Sequence, residues 1–180
     1  MKRKITRFIE RTLAITGALL IAFHLFFEVS TFTTGSMAPL LMGMEKGEPD
    51  TVLVEKRFTR GRAPARFQVV AFTNDDGVDV AKRVVGLPGE TIQVLRDRTL
   101  LIDGRPMKTP VEVDDGHGYV GVGNLSLGRP FKVPPGQVYV LGDDTHDSLD
   151  SRWQGGIAVE RIHGRVFVRV WPLARLRWLS

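Results

Sequence analysis

The chain begins with a mixture of basic and apolar positions, which an uncharged and largely apolar run follows. Five basic residues lie between Lys2 and Arg11, and no charged residue interrupts Leu13 to Phe27. A helix over that run rises roughly 22 Å, which is short of the roughly 30 Å hydrocarbon core of a bilayer, so a spanning helix has to continue to Phe32. The pattern predicts an uncleaved transmembrane anchor over residues 13–32. A cleaved signal peptide and a buried core helix stay open as alternatives.

Beyond residue 32 the hydrophobic pattern changes to short alternating runs that are typical of β-strands. Asn74–Gly77 is a turn sequence that predicts one hairpin, and residues 96–98 predict a second. No later stretch has the periodicity of a long amphipathic helix. The predicted strands are Thr51–Lys56, Phe67–Phe72, Val78–Val85, Thr91–Leu95, Thr99–Asp103, Gln137–Leu141 and Arg165–Trp171.

These elements predict a mainly β fold. We expect residues 33–180 to form an antiparallel, partly closed β-barrel-like domain behind one N-terminal transmembrane helix. Residues 110–130 are rich in Gly and Asp and predict a loop or a small excursion. Residues 1–12 form a basic tail, which the positive-inside rule assigns to the cytoplasm, so the domain after the anchor is expected on the other side of the membrane.

Composition removes several classes of function. The net charge is +5, but five of the 25 basic residues and only two of the 20 acidic residues lie in residues 1–32. The charge of the rest is close to balanced, so nucleic acid is not an expected partner. Cysteine is absent, and the four histidines have no ligand spacing. We therefore predict no disulfide, no metal and no cofactor.

Two residues carry the candidate chemistry. Ser36 follows Gly35 in a turn a few residues beyond the apolar run, and Lys82 lies in a valine-rich strand. Strand alternation puts Lys82 on one face with Val80 and Val84. The lysine is then either at the rim with its amine in water, or buried with a lowered pKa. A buried amine can act as the base that a serine nucleophile needs.

A third cluster, Gly142–Arg152, follows the strand that ends at Leu141. It predicts a solvated acidic loop, although His146 with a neighbouring aspartate leaves a Ser-His-Asp triad open. Asp150 and Arg152 are two residues apart, so on an extended strand they share a face and are able to pair.

Three segments, in this order, resemble the sequence boxes of the bacterial type I signal peptidases. They are Gly35–Pro39, Lys82–Glu90 and Gly142–Arg152, behind an N-terminal anchor. The resemblance implies that Ser36 is the nucleophile and Lys82 the general base of a serine/lysine dyad. It also implies that Ser148 hydrogen-bonds and orients Lys82, and that Thr34 completes an oxyanion hole with the Ser36 N–H group.

The same resemblance implies roles for further residues. Structural support of the site falls to Gly142, Asp143, Asp150 and Arg152, and small apolar substrate pockets are expected near Met37, Leu41 and Ala81. The implied function is removal of signal peptides from translocated preproteins by cleavage after small residues of the Ala-x-Ala type. The expected partners are preprotein substrates and membrane lipid, the expected location is the plasma membrane, and we expect a monomer.

Other functions remain open on sequence grounds. A specialised processing peptidase for one secretion or conjugation substrate would use the same dyad. A membrane-tethered β-domain that acts as an assembly scaffold would explain the anchor and the strands, but it would leave the three boxes without a reason. A soluble self-cleaving repressor would need a DNA-binding domain, for which the residues before Ser36 leave no room.

Overall fold

A computed structural model describes residues 2–44, 47–56, 64–110 and 113–179 of the chain. Helix α1 covers Lys2–Phe26. Within the described ranges it is the one helix long and apolar enough to cross a membrane, with a mean hydropathy of 1.5, and none of that apolar window is buried. Its 25 residues rise roughly 37 Å, of which the uncharged residues 12–26 account for roughly 22 Å.

The predicted continuation of the helix to Phe32 is wrong. Helix α1 ends at Phe26, and strand β1, Phe27–Thr31, begins at the next residue. It pairs antiparallel with strand β2, Thr51–Glu55. Phenylalanine, valine and threonine favour this pairing because they pack well on a pleated surface. The Lys56 N–H group donates to the Phe26 carbonyl at 2.8 Å, so the last turn of the helix gains a partner from the end of β2.

The larger sheet contains eight strands, all paired antiparallel. Its order is β1-β2-β11-β3-β4-β9-β10, with β12 added alongside β11. This path has two end strands, β1 and β10, so among the described residues the curled sheet does not close on itself through hydrogen bonds. The further strands are β3 Val69–Thr73, β4 Asp79–Gly86, β9 Gln137–Leu141, β10 Ile157–Ala158, β11 Ile162–Trp171 and β12 Arg177–Trp178.

A second sheet of four strands covers the middle of the chain. It contains β5 Thr91–Val94, β6 Leu100–Ile102, β7 Arg105–Met107 and β8 Phe131–Lys132, in the order β7-β6-β5-β8. The predicted excursion over residues 110–130 lies between β7 and β8. Its described part includes two 3₁₀ segments, Val113–Gly116 and Gly123–Gly128, while residues 111 and 112 lie outside the described residues.

Both predicted hairpins are confirmed. Strands β3 and β4 pair with Phe72 opposite Val80, and β5 pairs with β6. Asn74 stabilises the first turn, because its Oδ1 accepts hydrogen bonds from the N–H groups of Asp76 and Val78 at 3.1 and 2.8 Å. The mainly antiparallel β fold is confirmed as well.

The larger sheet buries both of its faces at β3 and β4. Val80 and Val84 belong to a core cluster on one face, together with Phe72. Val69 and Ala81 belong to a different cluster that includes the residues after Ser36. Strand β4 is therefore a central strand between two cores, and each of its side chains has a low exposure except that of Asp79.

Candidate functional site

Ser36 lies in the turn that follows strand β1. Its residue exposure is 8%. The Ala38 N–H group donates to the Gly35 carbonyl at 2.9 Å, and the Asp144 N–H group donates to the Ser36 carbonyl at 3.1 Å. The turn closes locally through the first bond and is tied to the loop after β9 by the second. The backbone at Ser36 is consequently held by two separate parts of the chain.

Lys82 is buried, with 3% of the residue exposed, which decides between the two interpretations of its sequence context. It lies in the middle of β4 on the same face as Val80 and Val84, as alternation predicts. Its Nζ atom donates a hydrogen bond to Ser36 Oγ. The structure thus brings the hydroxyl and the amine into direct contact.

Burial lowers the pKa of Lys82 from 10.5 to about 8. The cause is the loss of water around the charged ammonium form, which the nearby charge of Asp150 partly opposes. A pKa near 8 leaves a useful fraction of the amine uncharged close to neutral pH. A neutral amine beside a hydroxyl is able to take its proton.

Two further hydroxyl groups from the sequence analysis lie beside this pair. Thr34 Oγ1 is 3.4 Å from Ser36 Oγ. Ser148 Oγ is buried and has no hydrogen-bond partner among the described residues, so it makes no bond to Lys82 here. A Cβ atom at Gly142 would clash with both Ser148 Oγ and the Ser36 carbonyl oxygen. Gly142 therefore allows both serines to approach the end of β9.

Asp150 and Arg152 form a buried ion pair, but not on an extended strand as expected. Asp150 is the N-cap of the short helix α2, Ser151–Gln154, and its side chain accepts the Arg152 N–H. The two side chains also pair through Arg152 Nε and Nη2 at 2.8 and 2.7 Å. Asp150 Oδ2 accepts the Gly142 N–H at 3.0 Å. The two side chains pair as expected, but the strand is absent. A spacing of two residues also brings an N-cap aspartate into contact with a residue in the first turn of its helix, so the spacing does not distinguish the two structures.

Asp143 pairs with a residue that the sequence did not single out. Its carboxylate accepts two hydrogen bonds from Arg83, to Nε at 2.7 Å and to Nη2 at 2.6 Å. Arg83 also donates to the Phe67 carbonyl at 2.8 Å. The two partners are 60 positions apart. The pair fixes the loop after β9 against β4, next to Lys82.

A cavity of about 270 Å³ opens at Ser36 and Lys82. The substrate-pocket prediction for Met37, Leu41 and Ala81 is not matched by its walls, because these three side chains lie in the hydrophobic core. Ala81 points to the opposite face of β4 from Lys82, as alternation requires. The cavity is instead lined by Thr34, Gly35, Phe72, Asn74, Val80, Asp147, Leu149 and Gln154, besides the serine and the lysine.

Part of this lining had a signal in the sequence. The hairpin at Asn74–Gly77 sets the β3–β4 register, and that register places Phe72 opposite Val80 and on the face of Lys82. Leu149 and Gln154 had no comparable signal, because they come from the loop and the short helix after β9.

His146 lies away from the hydroxyl–amine pair. Its Nε2 atom is 3.6 Å from the carboxylate of Asp114 and 3.4 Å from the guanidinium of Arg98. The side chain is 60% exposed. The structure therefore brings Lys82, and not His146, to Ser36.

A fold and a site of this kind define a candidate class, in which a buried lysine activates a serine. The sequence model of the family described as signal peptidase, peptidase S26, matches residues 5–171. This match covers more than half of the chain, and the chain belongs to that family.

Individual relatives agree with this assignment. The chain is 31% identical over 183 residues to signal peptidase I T of Bacillus subtilis, covering 98% of this chain and 92% of the relative. It is 31% identical to signal peptidase I of Bacillus caldolyticus, covering 76% and 75%. It is 30% identical to the probable signal peptidase I-2 of Synechocystis, covering 73% of this chain and 59% of that protein. A solved signal peptidase I from Enterococcus faecalis superimposes with a TM-score of 0.48 at 31% identity, covering 58% of this chain and 97% of that one.

Proposed function

We propose that this chain is a membrane-anchored serine endopeptidase that removes signal peptides from translocated preproteins by a Ser36/Lys82 dyad. The observation that carries the proposal is the hydrogen bond between a buried lysine of lowered pKa and a serine hydroxyl. Membership of the signal peptidase family supports the same conclusion.

In the proposed mechanism, neutral Lys82 takes the proton of Ser36 as Oγ attacks the carbonyl carbon at the cleavage site. The Ser36 N–H and the Thr34 hydroxyl donate to the oxyanion that forms. The Lys82 ammonium then protonates the leaving amine, and the acyl group remains on Ser36. Lys82 next takes a proton from the water that attacks the ester, and it returns this proton to Ser36 Oγ as the ester breaks and the signal peptide leaves as an acid.

Further residues complete the proposed site. Ser148 is proposed to orient Lys82: its hydroxyl is buried and makes no hydrogen bond among the described residues, so it is free to bond to the amine during the reaction. We propose that the cavity lined by Phe72, Val80 and Leu149 accepts the small side chains that precede the cut, since it opens at Ser36 and Lys82. We also propose that four residues support the site structurally: Gly142, Asp143, Asp150 and Arg152. The buried ion pairs Arg83–Asp143 and Arg152–Asp150 are consistent with this role.

Helix α1 is the proposed membrane anchor. Its length, its apolar composition and its lack of burial support insertion into a bilayer. The basic residues in its first turns favour a cytoplasmic N-terminus and a catalytic domain on the far side of the plasma membrane. A nucleophile a few residues beyond the anchor would meet preproteins whose own signal helix occupies the same membrane. The action as a monomer and the lack of a nucleic-acid partner stay predictions.

The proposal is tested by incubating the full chain, in detergent, with a preprotein that has an Ala-x-Ala site. Mass determination of the products should show one cut after the second alanine. Ser36→Ala and Lys82→Ala should each abolish the cut, by about 10³-fold or more. Ser30→Ala, on strand β1, is the matched control and should keep full activity. Full activity of Lys82→Ala would reject the dyad.

Breadth of substrates is measured in the same assay. Cleavage of several unrelated preproteins supports a general signal peptidase. Cleavage of one preprotein alone, out of a varied set, would identify a specialised processing peptidase instead.

A further inference from the structure

Besides Lys82, the walls of the cavity at Ser36 contain one charged residue, Asp147, among the residues that the structure describes. The other side chains of the walls are apolar or carry uncharged polar groups: Phe72, Val80 and Leu149, and Thr34, Ser36, Asn74 and Gln154. A substrate that enters this cavity therefore meets a single negative charge at its described walls, and that charge is the carboxylate of Asp147.

The carboxylate of Asp147 has no partner in the described part of the chain. The backbone N–H group of this residue donates to Asp144 Oδ1 at 3.1 Å, but its side chain forms neither a hydrogen bond nor an ion pair with a described residue. The aspartates of the two buried ion pairs, Asp143 and Asp150, are by contrast neutralised by arginines. Asp147 is also exposed, so an incoming cation is able to reach it.

The charge of Asp147 acts on the amine of the dyad. Loss of water on burial has the largest influence on the pKa of Lys82 and lowers it, whereas the negative charge of Asp147 raises it. The other charges that act on this pKa are those of Asp150, Arg152 and Asp143, and each of them belongs to a buried ion pair. In the proposed mechanism Lys82 is uncharged when it reacts. The reactive form of the cavity then holds one uncompensated negative charge.

The proposed mechanism also indicates which part of a substrate meets this charge. Lys82 gives its proton to the leaving amine, which becomes the N-terminus of the mature chain, so that amine has to lie at the lysine Nζ atom. Asp147 directly precedes Ser148, the residue proposed to orient the same Nζ atom. The first residues of the mature chain are therefore expected to pass Asp147, while the small side chains before the cut occupy the apolar part of the cavity.

From these observations we infer that Asp147 is a specificity residue, which selects preproteins with a basic side chain at the first or second position after the cut and disfavours acidic side chains there. The inference rests on the proposed peptidase function, whose substrate class it narrows. A lysine or arginine at these positions supplies the partner that the carboxylate lacks, and an aspartate or glutamate brings a second negative charge into the same cavity. Because Asp147 is exposed, the result is a preference and not an absolute requirement.

A charge scan of one preprotein tests this inference. The preprotein has an Ala-x-Ala site, and its variants differ only in having Lys, Gln or Glu at the first or the second position after the cut. A further set has the same three residues at the position between the two alanines. The full-length chain is assayed in detergent at low salt, and kcat/KM is measured for each substrate. Each value is divided by that of the Gln substrate for the same enzyme variant, so a loss of folded protein cancels.

We expect kcat/KM to fall in the order Lys, Gln, Glu after the cut, with about a fivefold difference between Lys and Glu. Asp147→Asn should bring that ratio close to one, and Asp147→Lys should invert it. Raising the salt concentration should reduce the ratio of the unsubstituted enzyme, because ions screen exposed charges. The matched control is Glu160→Gln, which removes an exposed negative charge outside the described cavity walls and should keep the full ratio.

Three results would overturn the inference. Equal values for the Lys and Glu substrates in the unsubstituted enzyme would show that no charge preference exists. An unchanged ratio in Asp147→Asn would assign the preference to another group, and a preference confined to the position before the cut would place the carboxylate on the wrong side of the site. These results leave the peptidase activity itself intact. Failure to cleave any preprotein of the set would instead overturn the proposed function, and this inference with it.

Discussion

Lys82 and Arg83 are neighbours on β4, both are cations and both are buried, yet their surroundings differ completely. Arg83 points to one side of the sheet and donates hydrogen bonds to both carboxylate oxygens of Asp143. Lys82 points to the other side and contacts the hydroxyl of Ser36. Within the described part of the chain, no carboxylate lies at ion-pairing distance from Lys82.

The difference shows how neighbouring residues of β4 take two roles: Arg83 forms a structural ion pair, and Lys82 is available as a base. A guanidinium stays protonated in proteins, so its burial requires a partner of opposite charge. An amine has a second option, because it can release its proton when burial makes the charge unfavourable. The same low polarity that makes the Arg83–Asp143 pair a fixed connection therefore makes Lys82 a potential base.

The largest expected effect comes from breaking the paired side of this comparison. Asp143→Asn removes the negative charge that pairs with buried Arg83, and we expect a loss of about 3–5 kcal/mol in the free energy of unfolding. The matched control is Glu55→Gln, which breaks the half-exposed pair with Arg165 and should cost less than about 1 kcal/mol. Urea unfolding of both variants measures the difference. Similar losses for the two would mean that burial does not distinguish the pairs.

Removing the unpaired cation, Lys82, should instead raise the free energy of unfolding. The pKa of Lys82 is about 8 in the folded chain against 10.5 for a fully solvated lysine, so burying the protonated group at pH 7 costs about 3 kcal/mol of stability. Lys82→Met should raise the free energy of unfolding by up to about this amount at pH 7, while activity disappears.

The gain from Lys82→Met should also depend on pH. Between pH 8 and 10.5 the unfolded chain binds more protons at this position than the folded chain, so the stability of the unsubstituted protein rises with pH. The advantage of the methionine should therefore shrink through that window. A gain that is constant with pH would argue against a lowered pKa at Lys82.

A smaller effect is expected in the pH profile of the proposed peptidase activity. Only the uncharged amine takes a proton, so kcat/KM should fall about tenfold for each pH unit below a pKa of about 8 and level off above it. The measurement is preprotein cleavage across pH 6 to 9. A profile that levels off near pH 6.5 would point to a histidine as the base.

The smallest effect is expected at His146. Its contacts are Asp114 and Arg98, not Ser36, so His146→Ala should leave both kcat/KM and the pH profile unchanged. Lys82→Ala, assayed beside it, supplies the contrast. A large loss of activity in the histidine variant would revive the triad that the sequence left open.

Much of the fold follows from local patterns. The alternating runs at Thr51–Glu55 and Gln137–Leu141 are strands, and the turn at Asn74–Gly77 is a hairpin, because such signals depend only on near neighbours. The end of helix α1 was missed, since a run of Phe and Val fits a helix in lipid as well as a strand. Its pairing with β2, some twenty residues further along the chain, decides the outcome.

The site was predictable to a similar extent. Alternation along β4 gives two possible surroundings for Lys82, and only the packed fold shows that the side chain is buried. The Arg83–Asp143 pair joins distant parts of the chain, so no local pattern indicates it. The predicted substrate pocket failed for a different reason. Nearness in sequence to Ser36 or Lys82 does not place a side chain on the same face, and the core contains Met37, Leu41 and Ala81 instead.

The junction of α1 and β1 has a consequence for where the proposed peptidase would cut its substrate. No flexible linker separates the two elements, and the first residues after the helix are already paired in the sheet. With α1 inserted in a bilayer, the depth of Ser36 relative to the lipid is then a constant of the protein. Such an arrangement would select a scissile bond by its height above the membrane as well as by its neighbouring side chains.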